Sequence, residues 1–309
     1  MPPVFLEVMN MKKNYKLNRS QWLWAYIFIA PMAIGTLIFG IIPIFQSLYY
    51  ALTNWDGIGE ATFVGLDNFV KILHDDVVYT EIKNTLVYTV FSVPITLFLS
   101  VVTAVLLNQK IKATGFFRVV YFLPNIVMPV AAAMIWRYML NSKFGIVNIF
   151  LGALHLPTPS WISDPKFLMS SIIIVTVWTG IGYNAVILLA GLQGISTDIY
   201  DSAKIDGSGI ISTFFKITIP LLSPTLFFLL TMSIMNAMKS FDLVYAFTKT
   251  SGAGPLLDSV RTLVYGIYQR GFTFMKMGEA SAEAIILFFM IMIVTVLQFK
   301  LQDKWVHYD

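Results

Sequence analysis

The chain has 309 residues, of which 57% are hydrophobic, 15% aromatic and only 12% charged, with a mean hydropathy of +0.73; such a chain has too little polar surface to remain in water as a globule. The same balance excludes disorder, and the absence of cysteine excludes disulfides, thiolate metal sites and cysteine nucleophiles. A net charge of +4 is too small to point to nucleic acid, which leaves a polytopic membrane protein.

Charge-free intervals long enough to cross a ~30 Å hydrocarbon core locate the spans in chain order. Residues 1–21 form a basic leader, with Lys12, Lys13, Lys16 and Arg19 against one acid, Glu7. Trp22–Tyr50 is the first span; it is too long for a signal-peptide core and lacks a cleavage site. The connection 53–83 carries Asp56, Glu60, Asp67, Asp75, Asp76 and Glu81 against only Lys71 and Lys83. Asn84–Leu107 is the second span, followed by a short connection, 108–118, with Lys110, Lys112, Arg118 and no acid. Val119–Trp136 is the third and Leu168–Ala190 the fourth. Pro220–Phe247, interrupted by Lys239 and Asp242, is the fifth, and Ala280–Phe299 the sixth, with Glu279 and Glu283 expected to complement the helix dipole at its start. The fold class is therefore all-α: a six-helix domain over 22–300 and a short tail, 301–309. Basic short flanks place both termini in the cytoplasm. Loops 53–83, 137–167 and 248–279 then lie outside, and no connection is long enough to fold as a soluble domain.

The chemistry of known motifs is missing. No phosphate-binding G-x-x-x-x-G-K-S/T run, H-E-x-x-H or G-x-S-x-G occurs, and His74, His155 and His307 have no ligand spacing, so neither a metal nor catalysis is expected. Carboxylates are scarce within the first four spans, unlike an ion-coupled carrier.

The connection 197–220 is the most informative. Asp198 is suited to cap a short helix beginning at Ile199, Gly207 permits a sharp turn, and a second short helix over about 210–217 leads to Pro220. The expected product is a helical hairpin with an apolar face of Ala203, Ile210, Ile211 and Phe214, either a knob for a partner or an interfacial helix resting on lipid. This run resembles the EAA loop of membrane subunits of binding-protein-dependent ABC importers. Asp201-Ser202-Ala203 stands for E-A-A, Gly207 follows after three residues, and Ile217-x-Ile219-Pro220 after nine more. Asp201 and Ser202 depart from the pattern conservatively. Further segments resemble the maltose and multiple-sugar branch: Ala30-Pro31, Phe63 to Phe69, Phe117-Arg118, Phe122-Leu123-Pro124, Ala190 to Gln193, Phe241 to Val244 and Gly254-Pro255, together spanning about residues 22–300.

The resemblance implies a type I importer permease in a bacterial-type plasma membrane. It would form half of a pore with a second, homologous permease subunit. Two ATP-binding subunits, which carry the ATP and magnesium, would each receive one EAA loop, and an extracytoplasmic solute-binding protein would deliver a sugar. Alternating access would follow from rigid-body rocking. On this chain the coupling residues would be Tyr200, Asp201, Ser202, Ala203, Asp206, Gly207, Phe214 and Pro220, with no cofactor of its own.

A sugar pathway needs hydroxyl-matching groups and aromatic faces shielded from lipid. Thr176, Thr179, Gly180 and Tyr183 share one helical face of span four, and Ser233, Asn236, Ala237 and Ser240 share one of span five. The pathway residues expected are Thr176, Gly180, Tyr183, Ser233, Asn236 and Ser240, although the same small polar residues also suit plain helix–helix packing. Lys239 could hold an anionic group, pair with Asp242, or snorkel to the interface. The outer loop 53–83 and the Gly252–Pro255 turn are candidate contacts for the binding protein, or simply solvated. The alternatives are an ion-coupled secondary carrier, a membrane-embedded enzyme or structural subunit, and an ABC permease for a non-sugar solute.

Overall fold

The computed structural model describes residues 19–109, 113–249 and 254–307. The leader up to Asn18, Lys110, Lys112 and the Gly252 side of the outer turn lie outside those residues. The chain divides into two units, 1–49 and 50–309.

The first unit is one helical rod. Helix α1 (Arg19–Thr36) passes through a π-helical turn, Leu37–Ile41, into α2 (Ile42–Ala51), whose last residues begin the second unit. Pro43 lacks the N–H that would bond to the carbonyl of Phe39, and the wide turn that absorbs this lies just before it.

The second unit opens with a two-residue antiparallel ribbon, Thr53–Asn54 with Thr62–Phe63, in the register Thr53↔Phe63. Asn68, on α3 (Asp67–Leu73), locks it by donating from Nδ2 to the carbonyls of Ala51 at 2.9 Å and Thr53 at 2.8 Å. Then come α4 (Asp76–Leu107), α5 (Thr114–Ile126), α6 (Pro129–Met139), α7 (Ile146–Ala153) and α8 (Pro165–Gly194). Asp75 and Asp164 cap α4 and α8 by accepting from Val77 N and Lys166 N, both at 2.9 Å.

After the 197–218 hairpin follow α11 (Ile219–Met238), α12 (Asp242–Thr248), α13 (Pro255–Asp258), α14 (Leu263–Tyr268) and α15 (Met277–Gln302); α9 (Thr197–Ile205) and α10 (Ile210–Thr213) form the hairpin itself. The core is built where α4 lies along α8, with α11 crossing both.

The face that α4 presents to this core is a hydroxyl ridge. Thr85, Thr89, Ser92, Thr96, Ser100 and Thr103 recur every three or four residues and are all buried. Thr85, Thr89, Ser100 and Thr103 satisfy themselves by donating to the carbonyl four residues back, at 2.7–2.8 Å. Small self-satisfied side chains let two helices approach closely without an apolar driving force between them.

Among the described residues five helices are long and apolar enough to cross a membrane: 21–51, 76–107, 165–194, 210–248 and 277–302. The expected third span is not a straight helix. Its two halves, α5 and α6, are bent by 100°. Pro129 forces Met128 into extended geometry, with ψ at 135°, and Val127 is extended too, so the chain turns at 127–128. Span two starts earlier than its charge-free interval, because Glu81 and Lys83 are inside the helix.

Glu283 is not a dipole cap. It is fully buried and receives Nη1 of Arg270 at 2.6 Å, while the same nitrogen reaches Glu81 at 3.2 Å and Nη2 reaches Asp75 at 2.6 Å. Arg261 Nε lies 3.8 Å from the other oxygen of Glu81. This ion cluster ties the start of α4 to α15 and the segment before it, at the end of the bundle away from the hairpin. The tail packs on α11, where His307 N donates to Ser223 Oγ at 2.9 Å.

Candidate functional site: a chain of cavities above a helical hairpin

The hairpin forms differently in detail from the reading of its sequence. Ser196, not Asp198, caps α9, accepting from Asp198 N at 3.3 Å, so the helix begins at Thr197. Its end is a closed cap: Ser208 N donates to the carbonyl of Ala203 at 2.9 Å and Gly207 N to that of Lys204 at 3.1 Å, with Gly207 at φ +75°. Only a residue without a Cβ penalty takes that conformation freely.

No separate second helix precedes the fifth span. Helix α10 passes through a π turn, Phe214–Thr218, directly into α11, with Pro220 in the first turn where its missing N–H is harmless. The hairpin is therefore continuous with α11, with no break in the helix between them.

The expected single apolar face splits in two. Ala203 is buried and Phe214 packs on the core, whereas Ile210 and Ile211 face outward with Ile205 and Phe215, at 90%, 76%, 87% and 65% exposure. Tyr200 Oη sits 3.3 Å from Thr218 Oγ1, bracing the two arms, and exposed Asp201 pairs with Lys204 at 2.8 Å. Ser202 and Asp206 are exposed.

Halfway along α8 and α11 a cavity of about 420 Å3 opens between them and α4. Thr176, Gly180, Tyr183, Ser233 and Asn236 line it together with Thr179 and Ala237. Sequence reasoning missed other walls, among them Tyr88, Ser92 and Thr96 from α4 and Asn125 near the end of α5. The hydroxyl ridge of α4 was the available signal. Tyr88 is the central link, its Oη lying 2.8 Å from Thr176 Oγ1 and accepting from Ser240 Oγ at 3.2 Å. Ser92 Oγ is buried with no hydrogen-bond partner among the described residues, although it borders a cavity. Among the described residues, no Asp, Glu, Lys, Arg or His lines this cavity.

Two glycines of α8 mark close helix approaches, Gly180 in the cavity wall and Gly182 beside it. A Cβ on Gly182 would collide with the carbonyl of Tyr121, so α5 touches α8 backbone to backbone. A Cβ on Gly180 would lie 2.9 Å from the methyl of Thr96.

Ser240 and Lys239 line a second cavity of about 310 Å3 instead, with Phe241 and Asp242. Asn125, Thr179 and Asn236 border both cavities, so the two adjoin. Lys239 and Asp242 do not pair; among the described residues Lys239 has no ion pair at all. No cluster of His, Cys, Asp and Glu among the described residues could hold a metal ion.

Comparison with known proteins agrees with this architecture. Residues 81–308 match the family described as "Binding-protein-dependent transport system inner membrane component". The Bacillus subtilis (strain 168) protein named "Probable ABC transporter permease protein YesP" is 34% identical over 304 residues, covering 97% of this chain and 96% of its own. The sn-glycerol-3-phosphate transport system permease protein UgpA of Escherichia coli O157:H7 is 32% identical over 302 residues, covering 97% of this chain and all of its own length (100%). The fold matches a chain of the bacterial alginate ABC transporter solved with alginate pentasaccharide-bound periplasmic protein, at TM-score 0.81 and 20% identity, covering 95% of this chain and 98% of that one. A second structure, of a bacterial ABC transporter involved in alginate import, matches at TM-score 0.78 and 20% identity, covering 96% and 99%. A hairpin continuous with a helix that walls an uncharged polar cavity is the architecture of a transport subunit, and the chain belongs to the family of inner membrane components of binding-protein-dependent transport systems.

Proposed function

We propose that this chain is one permease subunit of an ATP-driven importer for a carbohydrate, and that the 420 Å3 cavity is its sugar site. The observation that carries the reading is the lining of that cavity: hydroxyls and amides in number, the Tyr183 and Phe228 rings, and no charge. Such walls match a neutral polyhydroxylated solute and offer no carboxylate for a proton or sodium relay. The relatives' named solutes, sn-glycerol 3-phosphate and the acidic polysaccharide alginate, carry hydroxyls too, each together with an anionic group.

In this reading the bent pair α5–α6 counts as a sixth span, both termini and the hairpin face the cytoplasm, and the membrane is the bacterial inner membrane. Ile205, Ile210, Ile211 and Phe215 then form the apolar tip that enters a cleft of an ATP-binding subunit, with Tyr200, Asp201, Ser202, Asp206 and Gly207 shaping it and Ala203, Phe214 and Pro220 anchoring it. The subunit pairs with a second, homologous permease and two ATPases, and hydrolyses no ATP itself. A solute-binding protein docks on the opposite face, where 53–83 lies. Closure of the ATPases moves the hairpin, the hairpin moves α11, and α11 moves Ser233, Asn236 and Ser240 against α8.

A second reading concerns charge. Unpaired Lys239 in the adjoining 310 Å3 cavity suits a phosphate or carboxylate on an otherwise polyhydroxylated solute. Uptake into proteoliposomes containing the reconstituted assembly tests both. The panel is radiolabelled glucose, maltose, galacturonate and glycerol 3-phosphate. The proposal expects ATP-dependent uptake of at least one, reduced at least tenfold by Asn236→Leu. A preference for the last two that is lost in Lys239→Gln selects the anionic reading; uptake driven by an ion gradient without ATP refutes both.

A further inference from the structure

Beyond the two cavities lies a third, of about 230 Å3, at the end of the bundle away from the hairpin, and nothing in the transport scheme above uses it. Its walls are the rings of Tyr245, Tyr265 and Tyr268 and the polar groups of Thr248, Gln269 and Thr273. The rings are mutually inclined, Tyr245 against Tyr268 at 5.5 Å and 75° and Tyr245 against Tyr265 at 6.3 Å and 42°. The depression is open at its mouth, with Tyr245, Tyr268 and Gln269 only half-buried and Lys249 exposed, so a solute can reach the rings.

The polar equipment is pre-oriented. Arg261 can only donate, and its Nη2 holds Gln269 Oε1 at 2.8 Å. That fixes which way the amide faces and leaves its NH2 without a hydrogen bond among the described residues. Thr248, by contrast, spends its hydroxyl on the carbonyl of Val244 at 2.7 Å. Lys249 Nζ covers the Tyr245 ring from 5.6 Å, so a cation marks the rim.

The cavity neighbours the pathway across one aromatic ring. Phe241 lines the second cavity, and its ring lies 5.1 Å from that of Tyr268 and 5.2 Å from that of Tyr245. The 420 and 310 Å3 cavities adjoin, and the 230 Å3 cavity lies on the far side of the Phe241 ring from the second.

We infer that the tyrosine cavity is an outer subsite that receives one pyranose ring before it reaches the mid-bundle site. Aromatic faces are electron-rich and take the C–H face of a sugar ring, while a fixed amide donor takes a hydroxyl or ring oxygen. The volume admits one ring. The inference rests on the carbohydrate reading above, and its test separates the two.

The test is saturation-transfer NMR on the full-length chain, purified with its accompanying subunits in lipid nanodiscs. The probes are the methyl glycosides of glucose, galactose, mannose and xylose, with glycerol as a polyol lacking a ring. Tyr183→Ala first removes an aromatic wall of the mid-bundle cavity. In that background at least one pyranoside, and not glycerol, should still show transfer to its ring protons. Adding Tyr268→Ala should lower that signal at least fivefold. Gln269→Leu, which leaves every ring in place, should lower it at least threefold, and Tyr268→Phe should keep it within twofold. A signal unchanged by both Tyr268→Ala and Gln269→Leu, or abolished by Tyr183→Ala alone, overturns the outer subsite and leaves the carbohydrate reading standing. No transfer to any pyranoside even in the wild type, with no sugar uptake, overturns both.

Discussion

Replacing Arg270 by methionine removes the centre of the buried ion cluster while keeping much of the side-chain volume. The guanidinium holds Glu283 at 2.6 Å, Asp75 at 2.6 Å and Glu81 at 3.2 Å. These losses are unequal. Asp75 is 37% exposed, so water replaces the arginine there at little cost, about 0–1 kcal/mol. Glu81 keeps Arg261 at 3.8 Å. Glu283, at 0% exposure, is left facing only the neighbouring Glu81 carboxyl, and removing one partner of a buried ion cluster costs about 3–5 kcal/mol. Arg270→Met should therefore destabilise the chain by about 3–4 kcal/mol, roughly a hundred- to a thousandfold in the unfolding equilibrium. The assay is detergent-induced unfolding of the purified chain in mixed micelles. Glu283→Gln removes the stranded charge, so the double variant should recover about half of the loss, a coupling that plain packing damage would not show. A single variant within about 1 kcal/mol of wild type, or a double variant that is the plain sum of its parts, would refute the reasoning.

The glycines at the main cavity separate rigid from yielding walls. Gly182→Ala meets backbone, the carbonyl of Tyr121, so α5 must shift; stability should fall by about 1–3 kcal/mol and uptake at least tenfold. Gly180→Ala meets only the methyl of Thr96, so adding Thr96→Ser should restore at least half of the uptake that the single change removes. Asp56 accepts from Gly59 N at 2.8 Å and Ile58 N at 3.0 Å, and these two bonds hold its carboxyl below the usual 3.8. A depressed folded pKa stabilises the turn above the unfolded pKa, and that stability is lost as pH falls through the folded value. Amide exchange at Ile58 and Gly59 should therefore show protection at pH 5 that declines below about pH 3.8 by more than the intrinsic pH dependence, and Asp56→Asn should abolish the difference.

Much of this was legible because the bilayer leaves few alternatives. Charge-free length located the five long helices, and residues spaced by three and four placed Thr176, Gly180 and Tyr183 on the face that borders the cavity. Gly207 announced its turn because few residues tolerate a positive φ. What escaped were effects that depend on partners distant in sequence. Pro124 and Pro129 were visible, but hydropathy does not reveal a 100° bend. Glu283 looked like a dipole cap because its partners, Glu81 and Arg270, meet it only through the fold. The serines and threonines of α4 were hidden inside an apolar average, although their spacing was there to be read. The hairpin's apolar residues split between core and surface because successive helical residues point about 100° apart, so Phe214 packs inward while Phe215 faces out.

The most direct test of the account is ATP hydrolysis by the assembly purified through this chain, with binding protein and transported sugar, comparing wild type with Gly207→Pro. Proline fixes φ near −65° and lacks the N–H that now bonds to the Lys204 carbonyl at 3.1 Å, so it breaks the hairpin turn and touches neither the cavities nor the ion cluster. The account predicts that ATP-binding subunits and a second permease co-purify with both forms, and that sugar stimulates hydrolysis in the wild type but at least fivefold less in Gly207→Pro. Equal stimulation in the two forms, or a chain that purifies alone and moves solute on an ion gradient, would contradict it.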